Sequence, residues 1–472
     1  MDLSTNMLAI FGLVIVVAFM VLIMTKKATP FTALVTAPIV VAIIAALIAG
    51  DGTILKIAGW AKDGIFGYAK AVKTDDVITG AKMVNGIVPT AIMLLFAILY
   101  FGLMLTAGLF DPVVKFILKI VKGDPLKVLV GTAILALCVS VDGDGSTTTL
   151  VVCSAMIPVY KKLKMKMMDL AVIIILGNSI MNLLPWGGPT ARIISALNIN
   201  EGELLRKILP GMLIAAVWVV LVGYIRGRSE RKRLGIVDIT EEDLAEVTAQ
   251  QHKDDAELRR PKLVWFNLVL TLIMITLLIF GGQWVIPSIN TAVIFEVGFA
   301  IALIVNYRSL KDQRAIVEEY GAAALHVVLM VLAAGIFMGI LNGSGMSDAM
   351  GRALSDWMPS FLGHSWGVVV AVISVPGTFL LSNDAFYYGV LPVLSEVGGN
   401  NGFTPMDMAV ASTVGQSYHL LSPLVGFIYL LLNLTGVDMG QWQRTAGKWA
   451  IGTFIVFLLS MLTFGGVPFI VS

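Results

Sequence analysis

LALCVSVDGDGSTTTLVVCSAMIPVY, residues 135–160, decides how this chain folds. Two carboxylates, Asp142 and Asp144, sit between glycines in the middle of an apolar region spanning 127–160. Each apolar half is short for a bilayer crossing. The spacing therefore predicts a re-entrant hairpin, a helix that enters, turns on the polar segment and leaves on the same side. Such a turn is tolerated where protein or a water-filled cavity covers it. A second region, 365–396, repeats the pattern around VPGTFLLSNDAF.

Outward from these segments the chain is a series of long apolar runs. Runs of about 17 residues or more are long enough to span a membrane. They fall at 7–24, 28–49, 86–108, 168–184, 207–225, 263–281, 286–306, 320–341, 406–434 and 445–469. The fold class expected is an all-α polytopic membrane protein with about ten transmembrane helices and two re-entrant hairpins. β-barrels are excluded because the runs are continuous rather than alternating. The stretch 50–85 is mixed and belongs at one surface. Met1 to Lys27 lacks a basic leader and a cleavage site, so it reads as a first span.

Composition agrees. Hydrophobic residues make up 57% and charged residues 14% of the 472 residues. A soluble domain carries about 25% charge. The formal net charge of +2 offers no field for a nucleic acid. The two cysteines, Cys138 and Cys153, give neither a disulfide scaffold nor a thiolate metal site. No Walker loop is present, so an ATPase subunit is not expected and an ion gradient is the energy source.

Lysine and arginine gather on cytoplasmic loops. With ten spans and two hairpins, Lys26–Lys27, Lys115–Lys122, Lys161–Lys166, Arg226–Arg233, Arg308–Arg314 and Arg444 all fall on one side. Both termini then lie outside, and 227–262 is a cytoplasmic linker with a short amphipathic helix. That linker divides the chain into halves 1–226 and 263–472. The first holds hairpin 127–160 and a broken helix at 168–195. The second holds hairpin 365–396 and a broken helix at 406–434. GNSIMNLLPWGG at 177–188 resembles GQSYHLLSPLVG at 415–426. An odd number of spans per half makes the second repeat inverted, a recurrent transporter design with its solute site near the midplane.

Candidate chemistry sits at the four polar interruptions. Asp142 and Asp144 with Ser146, Thr147 and Thr148 offer hard oxygen ligands for a cation, proton carriers, or simply a capped turn. Asn178, Ser179, Asn182, Gly187, Gly188, Thr190 and Arg192 surround a proline-glycine break. Arg192 reads equally as a carboxylate partner or an interface residue. In the second half the matching set is Ser382, Asn383, Asp384, Gln416, Ser417 and His419. His419 reads as a titrating group or a packed neutral histidine. Glu296, inside a span, needs a partner and joins Asp142, Asp144, Asp384 and His419 as a proton-coupling candidate.

At LAIFGLVIVVAFMVLIMTKKATPFTALVTAPIV, DGDGSTT and NSIMNLLPWGGPTAR, the sequence resembles the bacterial citrate–divalent metal:proton symporter family. It also resembles the wider ion-transporter group that includes the dicarboxylate/sodium symporters. The resemblance implies import of citrate complexed with Mg²⁺ or Ca²⁺, with Zn²⁺, Ni²⁺, Co²⁺ and Mn²⁺ as further cargo ions, together with H⁺. It implies elevator-type movement, a homodimer and a bacterial cell membrane location. It places substrate at Ser146–Thr148, Asn178–Ser179, Ser382–Asn383 and Gln416–Ser417. The wider group's sodium-type pattern is Ser-Asn-Thr at both tips. Here the tips carry Asp-Gly-Ser and Ser-Asn-Asp, which fits metal ligation by Asp142, Asp144 and Asp384 and puts sodium sites in doubt. The alternatives are a sodium- or proton-coupled carrier of free di- or tricarboxylates, an inorganic ion antiporter, and, from another class, a membrane enzyme or channel. No nucleophile–base arrangement supports the enzyme.

Overall fold

A computed structural model describes residues 3–50, 52–74, 77–121, 123–236, 258–280, 290–357, 359–464 and 466–468. The chain opens with α1 (Thr5–Met24) and α2 (Pro30–Ala49). The Ser4 and Thr29 side chains cap them by accepting from the third residue's amide. Then come α3 (Ile57–Phe66), β1 (Gly67–Thr74), β2 (Val77–Asn85), α4 (Val88–Thr106) and α5 (Asp111–Val121). The two strands pair antiparallel from Gly67↔Asn85 to Thr74↔Val77. This hairpin, within the mixed 50–85 stretch, is the one strand pair among the described residues of an otherwise helical membrane bundle.

Next are α6 (Pro125–Val139), α7 (Gly145–Lys162), α8 (Met167–Met181), α9 (Gly188–Leu197) and α10 (Glu201–Leu234). The second half contains α11 (Val264–Phe280), α12 (Thr291–Asn306), α13 (Leu310–Gly343), α14 (Met346–Trp357) and α15 (Trp366–Leu380). It ends with α16 (Leu391–Asn400), α17 (Pro405–Thr413), α18 (Gln416–His419), α19 (Gly426–Thr435) and α20 (Met439–Thr463).

Eight helical segments among the described residues are long and apolar enough to cross a membrane. Expected spans 168–184, 286–306 and 406–434 are not among them. The first and third are cut by polar breaks, and the second is 16 residues. Conversely Pro125–Asp142, read as too short, reaches 18 residues because a 3₁₀ turn extends α6. The domain limit at 226 also shifts. α10 runs on to Leu234, since Gly227 is packed against α6 and Glu230 is buried against the N-terminus of α8. The rest of the linker, 237–257 with its expected amphipathic helix, lies outside the described residues.

Two long helices organise the packing. α10 lies along α6, α8 and α20, and α13 lies along α2, α3 and α4. Side-chain amides and hydroxyls fasten the apolar helices to one another. Asn267 and Asn306 exchange hydrogen bonds at 2.9 and 2.8 Å, and Tyr100 meets Thr271 at 2.8 Å. Each such bond within a bilayer is worth about 0.6 kcal/mol. Ile10, Leu13, Val17, Leu272 and Val297 remain exposed on the outside of the bundle, an apolar surface suited to a bilayer.

Charged residues hold the N-terminal ends of α6 and α8 to the end of α10. Asp124 caps α6 and is forked by Arg231; Glu230 pairs with Arg233 and with Lys166; Asp169 pairs with Arg226. Burial disfavours the Asp124 carboxylate, but Arg231 and the Leu126 amide outweigh it, so its pKa is lowered. A carboxyl lowered by folding stabilises the fold above its unfolded value and loses that contribution as pH falls through the folded one. Thermal unfolding in detergent should therefore show an Asp124-dependent loss only in acid, below about pH 4. An Asp124→Asn variant should flatten that limb; an unchanged acid limb would refute the assignment.

Candidate functional site

Gly143 ends the 3₁₀ turn at φ +80°, a conformation glycine adopts without strain. The reversal places Asp144 at the N-cap of α7, where its Oδ2 accepts from the Thr147 amide at 2.7 Å. Asp142 Oδ1 accepts from the Asp144 amide at 3.0 Å. Each carboxylate is thus anchored through one oxygen, and among the described residues no hydrogen bond engages the other. Behind them Ser140 and Thr148 hydroxyls meet at 3.0 Å. The Asn178 amide nitrogen donates to both, at 3.3 and 3.4 Å.

α8 stops at Met181 because Pro185, Gly187 and Gly188 cannot continue it. Trp186 folds back, donating to the Val141 carbonyl at 2.7 Å and stacking on Phe101. Gly187 is packed so closely that a Cβ there would lie 2.0 Å from the Asn182 carbonyl oxygen. The amide oxygens of Asn178 and Asn182 are buried and have no partner among the described residues.

The second half makes a comparable set. α15 ends at Leu380, and a π-helical turn at Ala385–Val390 carries Tyr387 and Tyr388 inward. The Gln416 amide nitrogen donates to Asn383 Oδ1 at 2.9 Å and to the Tyr387 hydroxyl at 2.7 Å. Its amide oxygen, like that of Asn178, is buried without a partner. His419 Nδ1 lies 2.6 Å from the Thr378 carbonyl, which fixes that nitrogen as the donor.

The two halves interlock reciprocally. The first tip reaches the second broken helix, where Gly145 is packed against the Phe427 ring. The second tip reaches the first broken helix, where Asp384 accepts from Arg192 Nε at 2.6 Å. Arg192 Nη1 also donates to the Gly188 carbonyl at 2.7 Å. One turn along α9, Ser195 donates to the Tyr388 hydroxyl at 3.1 Å. Ser195 also lines a cavity of about 430 Å³ shared with Trp60, Asp63, Asn198 and Asn342.

Several expectations change. Asp384 is an ion-pair partner of Arg192. Among the described residues no group of three or more His, Cys, Asp or Glu is placed to hold a metal by itself. Glu296 is exposed on α12, because its neighbour Phe295 takes the inward direction against Trp186. Ser179, Thr190 and Ser417 are buried and bond to carbonyls of their own break: Leu176, Leu183 and Val414. The Ser382 hydroxyl accepts from the Ala385 amide. Sequence reading missed Ser140, whose hydroxyl completes the Asn178 cluster. Its only signal was a serine two residues before Asp142 in an apolar run.

The profile of the family described as Citrate transporter matches residues 19–415. The "Citrate transporter" of Bacillus subtilis (strain 168) is 42% identical over 98% of this chain and 100% of its own. The "Mg(2+)/citrate complex secondary transporter" of the same organism is 42% identical over 98% of this chain and 99% of its own. Among solved structures, the Alcanivorax borkumensis YdaH transporter is similar at 15% identity and a TM-score of 0.48, covering 92% of this chain and 100% of that one. A matching profile over most of the chain, and full-length relatives at this identity, place the chain in the citrate transporter family.

Proposed function

We propose that this protein is a secondary active transporter that imports citrate complexed with a divalent metal ion, coupled to protons. The observation that carries the reading is the reciprocal lock of two tips on two broken helices, with buried, unpartnered amide oxygens at Asn178, Asn182 and Gln416. Such oxygens are costly to bury unless a ligand satisfies them. A full-length relative named for an Mg²⁺/citrate complex indicates which ligand.

The chemistry is consistent. Citrate with three ionised carboxylates and one divalent ion carries a single negative charge. The metal side of that complex needs oxygen donors. The free oxygens of Asp142 and Asp144 and the amide oxygens beside them supply these. The carboxylate side needs N–H donors, which Arg192 supplies. The metal is cargo and leaves with the citrate. In this reading the breaks lie at the bilayer midplane and the repeats are inverted. The segments 127–160 and 365–396 are re-entrant, and the termini lie outside. A dimer scaffold lets the transport domain move as an elevator.

The decisive experiment is labelled citrate uptake into proteoliposomes under an inward proton gradient. It is run without divalent metal, with Mg²⁺, Ca²⁺, Zn²⁺, Ni²⁺, Co²⁺ or Mn²⁺ in turn, and separately with Na⁺. Uptake is expected only with a divalent ion, and a protonophore should collapse it. Metal-independent uptake driven by Na⁺ would overturn the proposal in favour of a carrier of free carboxylates.

A further inference from the structure

Of the ion pairs among the described residues, those of Asp124, Asp169, Glu230, Asp111 and Asp407 join helix ends or loops outside the two breaks. The pair Arg192–Asp384 differs. It lies between the first break and the second tip. We infer that Asp384 is a tethered stand-in for a substrate carboxylate on Arg192, and that exchanging one for the other obliges a proton to travel with the substrate. The inference rests on the carboxylate-transport reading and adds its coupling device.

The geometry sets up the exchange. Asp384 takes the Arg192 Nε edge through Oδ1, and Nη1 is held by the Gly188 carbonyl. The side chains are 25% and 15% exposed, so the pair sits inside the protein yet within reach of an entering solute. The titratable groups facing Asp384 are Arg192 from α9, Tyr388 on its own turn, and His419 from α18. Among the described residues Arg192 is the only cation paired with it. The Tyr388 hydroxyl accepts from Ser195, and His419 Nδ1 is spent on the Thr378 carbonyl.

One arginine and two competing carboxylates leave few stable arrangements. In the empty carrier Asp384 neutralises Arg192. If a substrate carboxylate takes Arg192, Asp384 is left as an unpaired anion inside the membrane, which is strongly unfavourable. A proton from solution onto Asp384 removes that charge. A protonated Asp384 without substrate instead leaves Arg192 unpaired. The two favourable forms are therefore empty and deprotonated, or loaded and protonated. For a metal–citrate complex of charge −1 both forms are neutral across Arg192, Asp384 and cargo. No covalent bond changes; one proton moves between water and the carboxylate.

The test measures Mg²⁺–citrate affinity of the detergent-purified full-length protein from mildly acidic to mildly alkaline pH. Metal–citrate speciation is the same for every variant, so the ratio to wild type isolates the protein. Wild-type affinity is expected to weaken as pH rises. Asp384→Asn should bind at least about tenfold tighter at alkaline pH, the scale of one charge-assisted hydrogen bond, and its pH dependence should be flat relative to wild type. Arg192→Gln should bind weakly throughout. An Asp384→Asn variant that keeps the wild-type pH dependence, or binds more weakly, overturns the inference. If that variant does not fold, the wild type decides it: adding Mg²⁺–citrate adjusted to the same alkaline pH should draw protons from a weakly buffered indicator solution. No proton uptake overturns the exchange. If the wild type binds free citrate and not the metal complex, the metal reading fails while the same comparison with free citrate still tests the exchange. A wild type that binds neither form sinks both.

Discussion

Gly187→Ala is expected to abolish uptake and to destabilise the protein by about 1–3 kcal/mol, the range for forcing extra volume into a packed interior. The backbone angles at Gly187, φ −69° and ψ 147°, suit any residue. Space is what alanine lacks. Its Cβ would lie 2.0 Å from the Asn182 carbonyl oxygen and 2.7 Å from the carbonyl carbon, and backbone cannot swing aside as a flexible side chain can. Gly143 approaches the same residue from the opposite tip, its own notional Cβ falling 3.0 Å from Gly187 Cα. Moving Gly187 therefore displaces the first tip and with it Asp142 and Asp144. Gly321→Ala, in α13 with nothing within 4 Å of the added carbon, is the control and should gain stability through helix propensity. Thermal unfolding plus proteoliposome uptake reads both. A Gly187→Ala variant transporting at the wild-type rate would show that the break is not a rigid part of the site.

Asn178→Leu should reduce citrate uptake by about 100-fold or more. Leucine keeps asparagine's branched shape and heavy-atom count, so the change in packing is modest beside the change in polarity. Three polar atoms lose their arrangement instead. The Asn178 nitrogen bridges Ser140 and Thr148, and its oxygen is the buried acceptor left open for a ligand. Each buried polar group deprived of a partner costs about 1–3 kcal/mol. Gln416→Leu should act similarly through Asn383 and Tyr387. The informative comparison is binding against stability. Binding should fall by more than the melting temperature accounts for. Should both variants unfold without any separate loss of affinity, the two amides are structural and the ligand lies elsewhere.

The long apolar helices were legible because lipid demands about 20 apolar residues per crossing and leaves few alternatives. α1, α2, α4 and α20 start or stop within several residues of their apolar runs. Helix ends were less legible where charged residues follow. Arg226–Arg233 read as a loop, yet its arginines, lysine and glutamate are good helix formers and continue α10 to Leu234 despite Gly227. The strands of 67–85 were invisible for the opposite reason. A mixed, short stretch has no dominant period, and β propensity is decided by what packs on it.

The site divides in the same way. Local sequence alone marked Asp142, Asp144, the Asn178–Thr190 break and the Ser382–Asp384 tip, because carboxylates, prolines and glycines inside apolar runs have no cheap structural explanation. Partners 192 residues apart carry no mutual sequence signal. That Arg192 meets Asp384, and that Phe427 covers Gly145, depends on how the halves lock together. Nor does a carboxylate's position in the chain say whether it faces inward. Glu296 and Phe295 are neighbours on one helix, and the 100° step between them sends one to the bundle and the other to its surface. The membrane environment and the places where helices must break are written in the residues alone, since both follow from local solvation and backbone chemistry. Tertiary structure alone decided which broken end faces which tip, because a charge buried in a low-dielectric interior is satisfied only by what packing brings to it.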